Sequence, residues 1–277
     1  MDVFPQTKSV IEDFSIGINV SRRSTRYILG ETHIDDAHMH NCYEVYFNIS
    51  GDVSFWVENT LYPVNAGDVI ITRPNEIHHC IYNETCVHEH FCLWIVANGS
   101  YGGLLNVFTN REKGEGCRIC LDEPEKEQIK EFLGVLYEAY EKGTQNHLKP
   151  TLALYSLLSI ITKGVEKKAP PAKMPPLLSA AIEYINSHLS EKCICEDLAA
   201  KVYTSRSTLY RLFKDFLGIS PAKYIEAKRM SLAKSLLAEK TPLSEICALC
   251  GYTDCSHFIS VFKRRFGVTP YKYQKKL

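Results

Sequence analysis

The sequence predicts a two-domain α+β protein, with a β-rich N-terminal domain that also carries helices and an all-α C-terminal domain. Three observations carry this prediction. Short apolar runs separated by turn residues fill residues 15–125, which is typical of a sandwich or barrel. The apolar period then becomes helical, and the last hundred residues contain an internal repeat. At 277 residues the chain has room for two domains of ordinary size.

Turn residues mark the ends of the predicted strands. The runs VSFWV (53–57) and TLYPV (60–64) flank Glu58-Asn59, a short hairpin connection. The stretch NAGD (65–68) makes the next turn. In residues 88–94, histidine, cysteine and tryptophan alternate with other residues, which favours one more strand. We assign residues 1–124 to this β domain.

Two helices are expected over residues 125–163. Ile129, Leu133 and Leu136 share one helical face, and a second apolar helix follows Pro150. These helices either cover the open side of the β domain or pair between the subunits of a dimer. The next stretch, GVEKKAPPAKMPP (164–176), is rich in proline and lysine and reads as a linker to residues 177–277.

Composition narrows the class of protein. No apolar run approaches the roughly 20 residues of a membrane helix, and the start MDVFPQTKSVIED lacks the blocks of a signal peptide. We therefore expect a cytoplasmic protein without a membrane partner, whose 11 cysteines are mostly thiols. The zero net charge hides an asymmetry: residues 171–277 hold 17 Lys and Arg against 9 Asp and Glu. This basic part, at +8, favours a polyanion as partner.

The repeat is the strongest signal in the chain. FKDFLGISPAKY (213–224) recurs as FKRRFGVTPYKY (262–273), at an offset of 49 residues. Each copy ends a helix-turn-helix pattern. Ser205 and Asp254 are the expected N-caps of the second helices, and Gly218 and Gly267 their expected ends. A long helix after Ser220 joins the two copies.

This geometry suits duplex DNA. An exposed helix face fits the major groove and reaches base edges. Two units on a stiff connector can enter successive major-groove turns, which lie about 34 Å apart. Lys214 and Lys263 stand near the ends of the units, where phosphates would pass, and such contacts set register and salt dependence.

The segments LYRLFKDFLGISPAKYIEAKRMSLAKSLL (209–237) and ICALCGYTDCSHFISVFKRRFGVTPYKY (246–273) closely resemble the AraC-type (AraC/XylS) transcriptional regulators. The resemblance implies a homodimeric activator that binds promoter DNA as the double strand and works with RNA polymerase. It also implies that the second helix of each unit reads DNA. The positions that carry this over are Arg206, Ser207, Tyr210 and Arg211, then Cys255, Ser256, His257 and Ser260. Many relatives carry a basic residue where Ser260 stands, so the second unit is expected to make fewer base contacts. Arg211 is the expected base reader, with a phosphate contact as its alternative.

The N-terminal domain resembles the cupin-like effector domain found in many such regulators. The pattern is His38-x-His40-x3-Glu44-x6-Gly51, followed by Gly67-x5-Arg73-x-Asn75-x2-His78. Arg73 and Asn75 depart from the usual proline and glycine. The resemblance implies a small-molecule effector in a barrel, and a sugar is suggested by the family alone. The residues expected to line the effector pocket are His38, His40, Glu44, Tyr46, Trp56 and His78.

Three interpretations of the histidines stay open. A metal-dependent cupin enzyme would hold a divalent metal on His38, His40, Glu44 and His78, but nothing else in the chain marks a substrate-activating base. A regulator could hold the same metal as its signal, since imidazole and carboxylate suit several transition metals. A metal-free regulator would use these side chains to bind a polar effector. We expect a regulator rather than an enzyme. His88 and His90 add possible ligands, and a strand surface is the favoured alternative for both.

Overall fold

The computed structural model describes residues 7–8, 11, 16–28, 37–97, 103–164, 172, 174–191 and 194–275. The strands lie in the N-terminal part, as the turn pattern predicts. They are β1 Ile16–Tyr27, β2 Tyr43–Ser50, β3 Val53–Val57, β4 Thr60–Val64, β5 Val69–Thr72, β6 His78–Tyr82, β7 Cys86–Ala97 and β8 Arg118–Ile119. The predicted hairpin connection is confirmed, since Glu58 and Asn59 join β3 to β4.

The strands form two antiparallel sheets. The larger has the order β1-β7-β2-β5-β8 and the smaller the order β4-β3-β6. Among the described residues the ladders leave these sheets separate rather than closed into one continuous barrel. Their facing side chains form an apolar core that includes Tyr46, Phe55 and Tyr62.

Helices cover the outer face of the larger sheet. They are α1 Asn106–Thr109, α2 Glu123–Lys142 and α3 Leu148–Gly164. Asp122 and Glu125 form a capping box that starts α2. Leu133 and Leu157 are fully buried, in one core with Val45 and Phe47 of β2. Two roles were left open for these helices, covering the β domain or pairing between subunits. The structure shows that they cover the larger sheet of their own chain.

The C-terminal part is all helical. It contains α4 Pro176–Ser187, α5 Ile194–Lys201, α6 Arg206–Leu217, α7 Pro221–Ala238, α8 Leu243–Leu249, α9 Cys255–Phe266 and α10 Pro270–Gln274. The helix α4 was not predicted from the sequence. Among the described residues, no helix combines the length and the hydropathy that crossing a membrane requires.

The predicted helix ends are confirmed. The Ser205 side chain accepts from the Thr208 amide at the start of α6, and Asp254 caps α9 in the same way. Gly218 and Gly267 end these helices with φ of 69° and 73°. That left-handed backbone costs glycine little. The two units therefore repeat each other in structure as well as in sequence.

Candidate functional site

The helix α6 turns a polar face to solvent. Leu209, Phe213 and Leu217 are buried on its other side. The exposed positions are those named from the sequence: Arg206, Ser207, Tyr210, Arg211 and Lys214. Tyr210 is 52% exposed, so its ring and hydroxyl are accessible to a partner. This face combines guanidinium, hydroxyl and ammonium groups, the donors that DNA bases and phosphates accept.

The equivalent face of α9 is less basic. Ser256, His257, Ser260 and Lys263 are exposed. Cys255 is only partly exposed and packs against the apolar core, so it does not stand fully on the predicted reading face. At the end of the helix, Arg264 pairs with Glu226 at 3.2 Å and Arg265 donates to the Ala37 carbonyl. Arg265 is thus a contact between domains here rather than a phosphate contact.

The histidines of the predicted motif meet in space. His38 forms an antiparallel bridge with His78 ahead of β2, and Glu44 points inward from β2. Nitrogen atoms of His38, His40 and His78 lie within 4.8 Å of one another. Glu44 Oε2 lies 2.9 Å from His78 Nε2 and 3.5 Å from His40 Nε2. The four residues named from the motif therefore lie close together in the structure.

Burial gives the cluster unusual electrostatics. Burial lowers the pKa of His40 to about 4, although Glu44 opposes it. Burial would also lower the pKa of His78 and raise that of Glu44, but their mutual attraction outweighs it. The pKa of His78 is raised and that of Glu44 is lowered. Glu44 is therefore a carboxylate at neutral pH, and it needs a positive partner close by.

The polar atoms of the cluster point at one another rather than at ordinary partners. His78 Nδ1 lies 2.9 Å from the Glu76 carbonyl, which only accepts, so His78 Nε2 is the atom that faces Glu44. Glu44 Oε2 and His78 Nε2 are ion-paired at 2.9 Å, and among the described residues no hydrogen-bond partner reaches either ring nitrogen of His40. Buried polar atoms are normally satisfied, so this arrangement is suited to a ligand or ion.

The space between the sheets continues from this cluster along β2 and β7. Tyr46 Oη lies 2.6 Å from His88 Nε2, and the His88 and His90 rings stack at 4.6 Å. The prediction that His88 and His90 lie on a strand surface is wrong. The signal that could have found them is the alternation that also turns Cys92 and Trp94 inward, opposite Tyr46 and Glu44.

Trp56 does not line this space. Its neighbour Phe55 points between the sheets, at 4.6 Å from the ring of Tyr46. Trp56 faces the other way and packs against Tyr224 of α7, with ring centroids 5.1 Å apart. The expectation that Trp56 belongs to the effector pocket is therefore wrong, and it is a contact between the two domains instead.

Comparison with known proteins agrees with this architecture. A family described as "Helix-turn-helix domain" matches residues 198–276, and one described as "AraC-like ligand binding domain" matches residues 29–88. The probable transcriptional regulator LumQ of Photobacterium leiognathi is 40% identical over 92 residues, which cover 33% of this chain and 37% of that protein. The lactose operon transcription activator of Staphylococcus xylosus is 26% identical over 239 residues, which cover 81% of this chain and 80% of that protein.

Among solved structures, the C-terminal domain of AraT, a response regulator from Geobacillus stearothermophilus, shares 30% identity. The match covers 38% of this chain and 89% of that domain, with a TM-score of 0.37. Fold and site together define a two-domain protein that joins a ligand-binding β domain to a tandem helix-turn-helix domain. The chain carries a helix-turn-helix domain and an AraC-like ligand-binding domain, and both agree with its sequence resemblance to AraC-type regulators.

Proposed function

We propose that the chain is a sequence-specific DNA-binding regulator of transcription, an activator controlled by a small molecule bound in its N-terminal domain. One observation carries the proposal: two matched helix-turn-helix units expose their second helices, α6 and α9, at the ends of one connecting helix. The connector α7 has 18 residues, or about 27 Å at 1.5 Å per residue. This separation suits entry into successive turns of the major groove.

The effector is proposed to bind between the sheets. The cluster of His38, His40, Glu44 and His78 supplies one charged end, and Tyr46 supplies an aromatic wall. Buried ring nitrogens of His90 and Trp94 have no hydrogen-bond partner among the described residues. Such donors and acceptors beside aromatic faces suit a small polar molecule such as a sugar.

A divalent metal in the cluster is the second candidate for the signal. Three imidazoles and a carboxylate form a donor set that suits Zn, Ni, Fe or Mn. In a tetrahedral site with bonds near 2.0 Å, ligand atoms lie about 3.3 Å apart. The separations of 2.9 and 3.5 Å from Glu44 Oε2 fit that scale. The residues that would hold the ion are His38, His40, Glu44 and His78, and the ion would take over from a protonated His78 as the positive partner of Glu44.

We also propose a homodimer that uses α3. Leu148, Leu152 and Tyr155 form an exposed stripe, with 51%, 58% and 40% of their surface accessible. Their spacing puts them on one helical face, opposite the face that packs on α2. A second copy of the chain would cover this stripe, and RNA polymerase is the proposed partner at the promoter.

The DNA proposal is tested by selecting sites for the full chain from a pool of random duplexes. We expect a recurrent motif whose affinity falls steeply as salt rises, because phosphate contacts release counterions. A variant with Arg206 and Arg211 both changed to Ala is the control for the reading face. If the full chain selects no motif and binds no duplex at low salt, the proposal fails.

The metal candidate is tested by titrating purified protein with Co²⁺, whose visible spectrum reports the ligand set. We expect one ion per chain, lost in His78→Ala and kept in His147→Ala, which changes a histidine outside the cluster. A spectrum without bound Co²⁺, together with full DNA binding, would reject the metal and leave the polar effector as the signal.

A further inference from the structure

The connecting helix α7 is docked against the N-terminal domain by a row of polar side chains. Tyr224, Lys228 and Ser231 lie four and three residues apart, so they share one helix face. The Tyr224 hydroxyl donates to Asn59 Oδ1 at 3.1 Å, and Lys228 Nζ donates to Glu58 Oε2 at 2.6 Å. The Ser231 hydroxyl reaches the Asn75 carbonyl at 3.4 Å. This helix therefore touches both the β3–β4 turn and the loop before β6.

Glu58 is held in an uncommon state for this contact. It is 4% exposed and has a φ of 54°, although it is not glycine. A non-glycine residue in this region persists where its surroundings fix it. Its second oxygen, Oε1, accepts from the Ile77 amide at 3.0 Å. One carboxylate thus joins Lys228 of α7 to the residue that precedes His78.

The backbone around the histidine cluster is tied to the same contacts. The His78 and His38 amides and carbonyls pair with each other at 2.9 and 3.0 Å. The Asn75 amide donates to the His40 carbonyl at 2.8 Å. Arg265 of α9 donates to Ala37, next to His38. Both segments that carry the histidines, 37–40 and 75–78, therefore touch the DNA-binding domain directly.

We infer that the Glu58–Lys228 ion pair is a latch that couples the histidine cluster to the DNA-binding domain. This inference rests on the proposed ligand-binding role of the cluster. A ligand that orders segments 37–40 and 75–78 favours the docked position of α7, and docking favours the ligand to the same degree. Loss of one partner leaves a buried charge unpaired, so the latch opens when either side is removed.

The latch is tested in the full chain by hydrogen exchange, without any ligand. In Lys228→Met we expect the His38 and His78 amides to exchange about fivefold faster or more, the lower end of typical coupling. Lys228→Arg should restore most of the protection because it keeps the charge. Lys223→Met removes an exposed lysine from the same helix and should leave these amides unchanged.

Unchanged exchange of these amides in a folded Lys228→Met protein would overturn the inference. A Co²⁺ titration then separates it from the proposed metal site. If wild type binds Co²⁺, Lys228→Met should bind it at least about fivefold more weakly, and equal affinity would also overturn the latch. If wild type binds no Co²⁺ but the exchange rates differ as expected, the metal candidate fails and the latch stands.

Discussion

The two helix-turn-helix units differ on their outer faces while their inner faces agree. Phe213 and Phe262 occupy the same place in the repeat, and both are fully buried. On the outside, the 49-residue offset sets Arg211 against Ser260 and Arg206 against Cys255. The interior residues of each unit are constrained by packing, and the duplicated fold imposes the same packing on both copies. The surface residues are constrained by what each unit contacts, and the two copies differ in sequence there.

The difference assigns different tasks to the two units. The first presents guanidinium groups, which can bond a guanine edge in two places. The second presents small hydroxyl groups, and two of its three terminal basic residues are engaged by Glu226 and Ala37. We therefore expect the first unit to read the base sequence and the second to fix the register on the DNA. The second unit also contacts the N-terminal domain through Arg265.

The largest expected effect comes from removing a buried aromatic ring from the interior of either unit. Phe213→Ala and Phe262→Ala should each lower the free energy of unfolding by about 3–5 kcal/mol, because a buried ring leaves a cavity. Urea unfolding of the full chain, followed by circular dichroism, measures this loss. Tyr271→Ala, at a position that is 63% exposed, is the matched control. A large cost in only one unit would show that the two cores are not equivalent.

The difference between the exposed faces of the two units is tested by changing one matched pair of surface residues. Arg211→Ala should weaken binding to the selected site by about 1–3 kcal/mol, or roughly 10- to 150-fold, and relax the preference at one base. Ser260→Ala, at the equivalent position, should change affinity by only about twofold. Fluorescence anisotropy with the selected duplex and single-base variants measures both. A uniform loss over all duplexes in Arg211→Ala would make Arg211 a phosphate contact.

Local chemistry is what the sequence predicted well. Ser205 and Gly218 act within a few residues of themselves, so composition alone indicates where α6 begins and ends. His38 and His40 were placed on one site because the motif fixes their spacing. The contact of Lys228 with Glu58 joins residues 170 positions apart, and no local pattern records it.

Trp56 shows a second limit of the pattern. Alternation along β3 indicates two faces, but both are buried, Phe55 between the sheets and Trp56 against α7. Because neither face of β3 is fully exposed to solvent, the alternation along the strand does not show which face lines the ligand site. The predicted surface position of His88 and His90 was wrong for a related reason. A polar side chain on a strand is usually exposed, whereas these two are turned inward.

The caps of the two reading helices offer a smaller test of the comparison. Ser205→Ala and Asp254→Ala should each lower the free energy of unfolding by about 1 kcal/mol, because each frees an amide of the first turn. Asp254→Asn keeps the acceptor and removes the charge, so it should cost less than Asp254→Ala. Urea unfolding checks these values. If Asp254→Asn costs as much as Asp254→Ala, the charge and not the hydrogen bond is what stabilises α9.

The smallest expected effect concerns the two lysines that the repeat makes equivalent. Lys214 and Lys263 are both exposed at the ends of their reading helices. Lys214→Ala and Lys263→Ala should each reduce the slope of log affinity against log salt by about 0.9, the value for one phosphate contact. Arg264→Ala should reduce it less, because Arg264 already pairs with Glu226 at 3.2 Å.

Anisotropy titrations over a range of salt concentrations measure these slopes. An equal reduction by all three variants would mean that DNA displaces Glu226 from Arg264 and that α9 uses its basic end fully. A reduction by the lysines alone would mean that the second unit meets the phosphates with one cation, as the first does with Lys214. The units would then differ in how they read bases while they hold the DNA backbone alike.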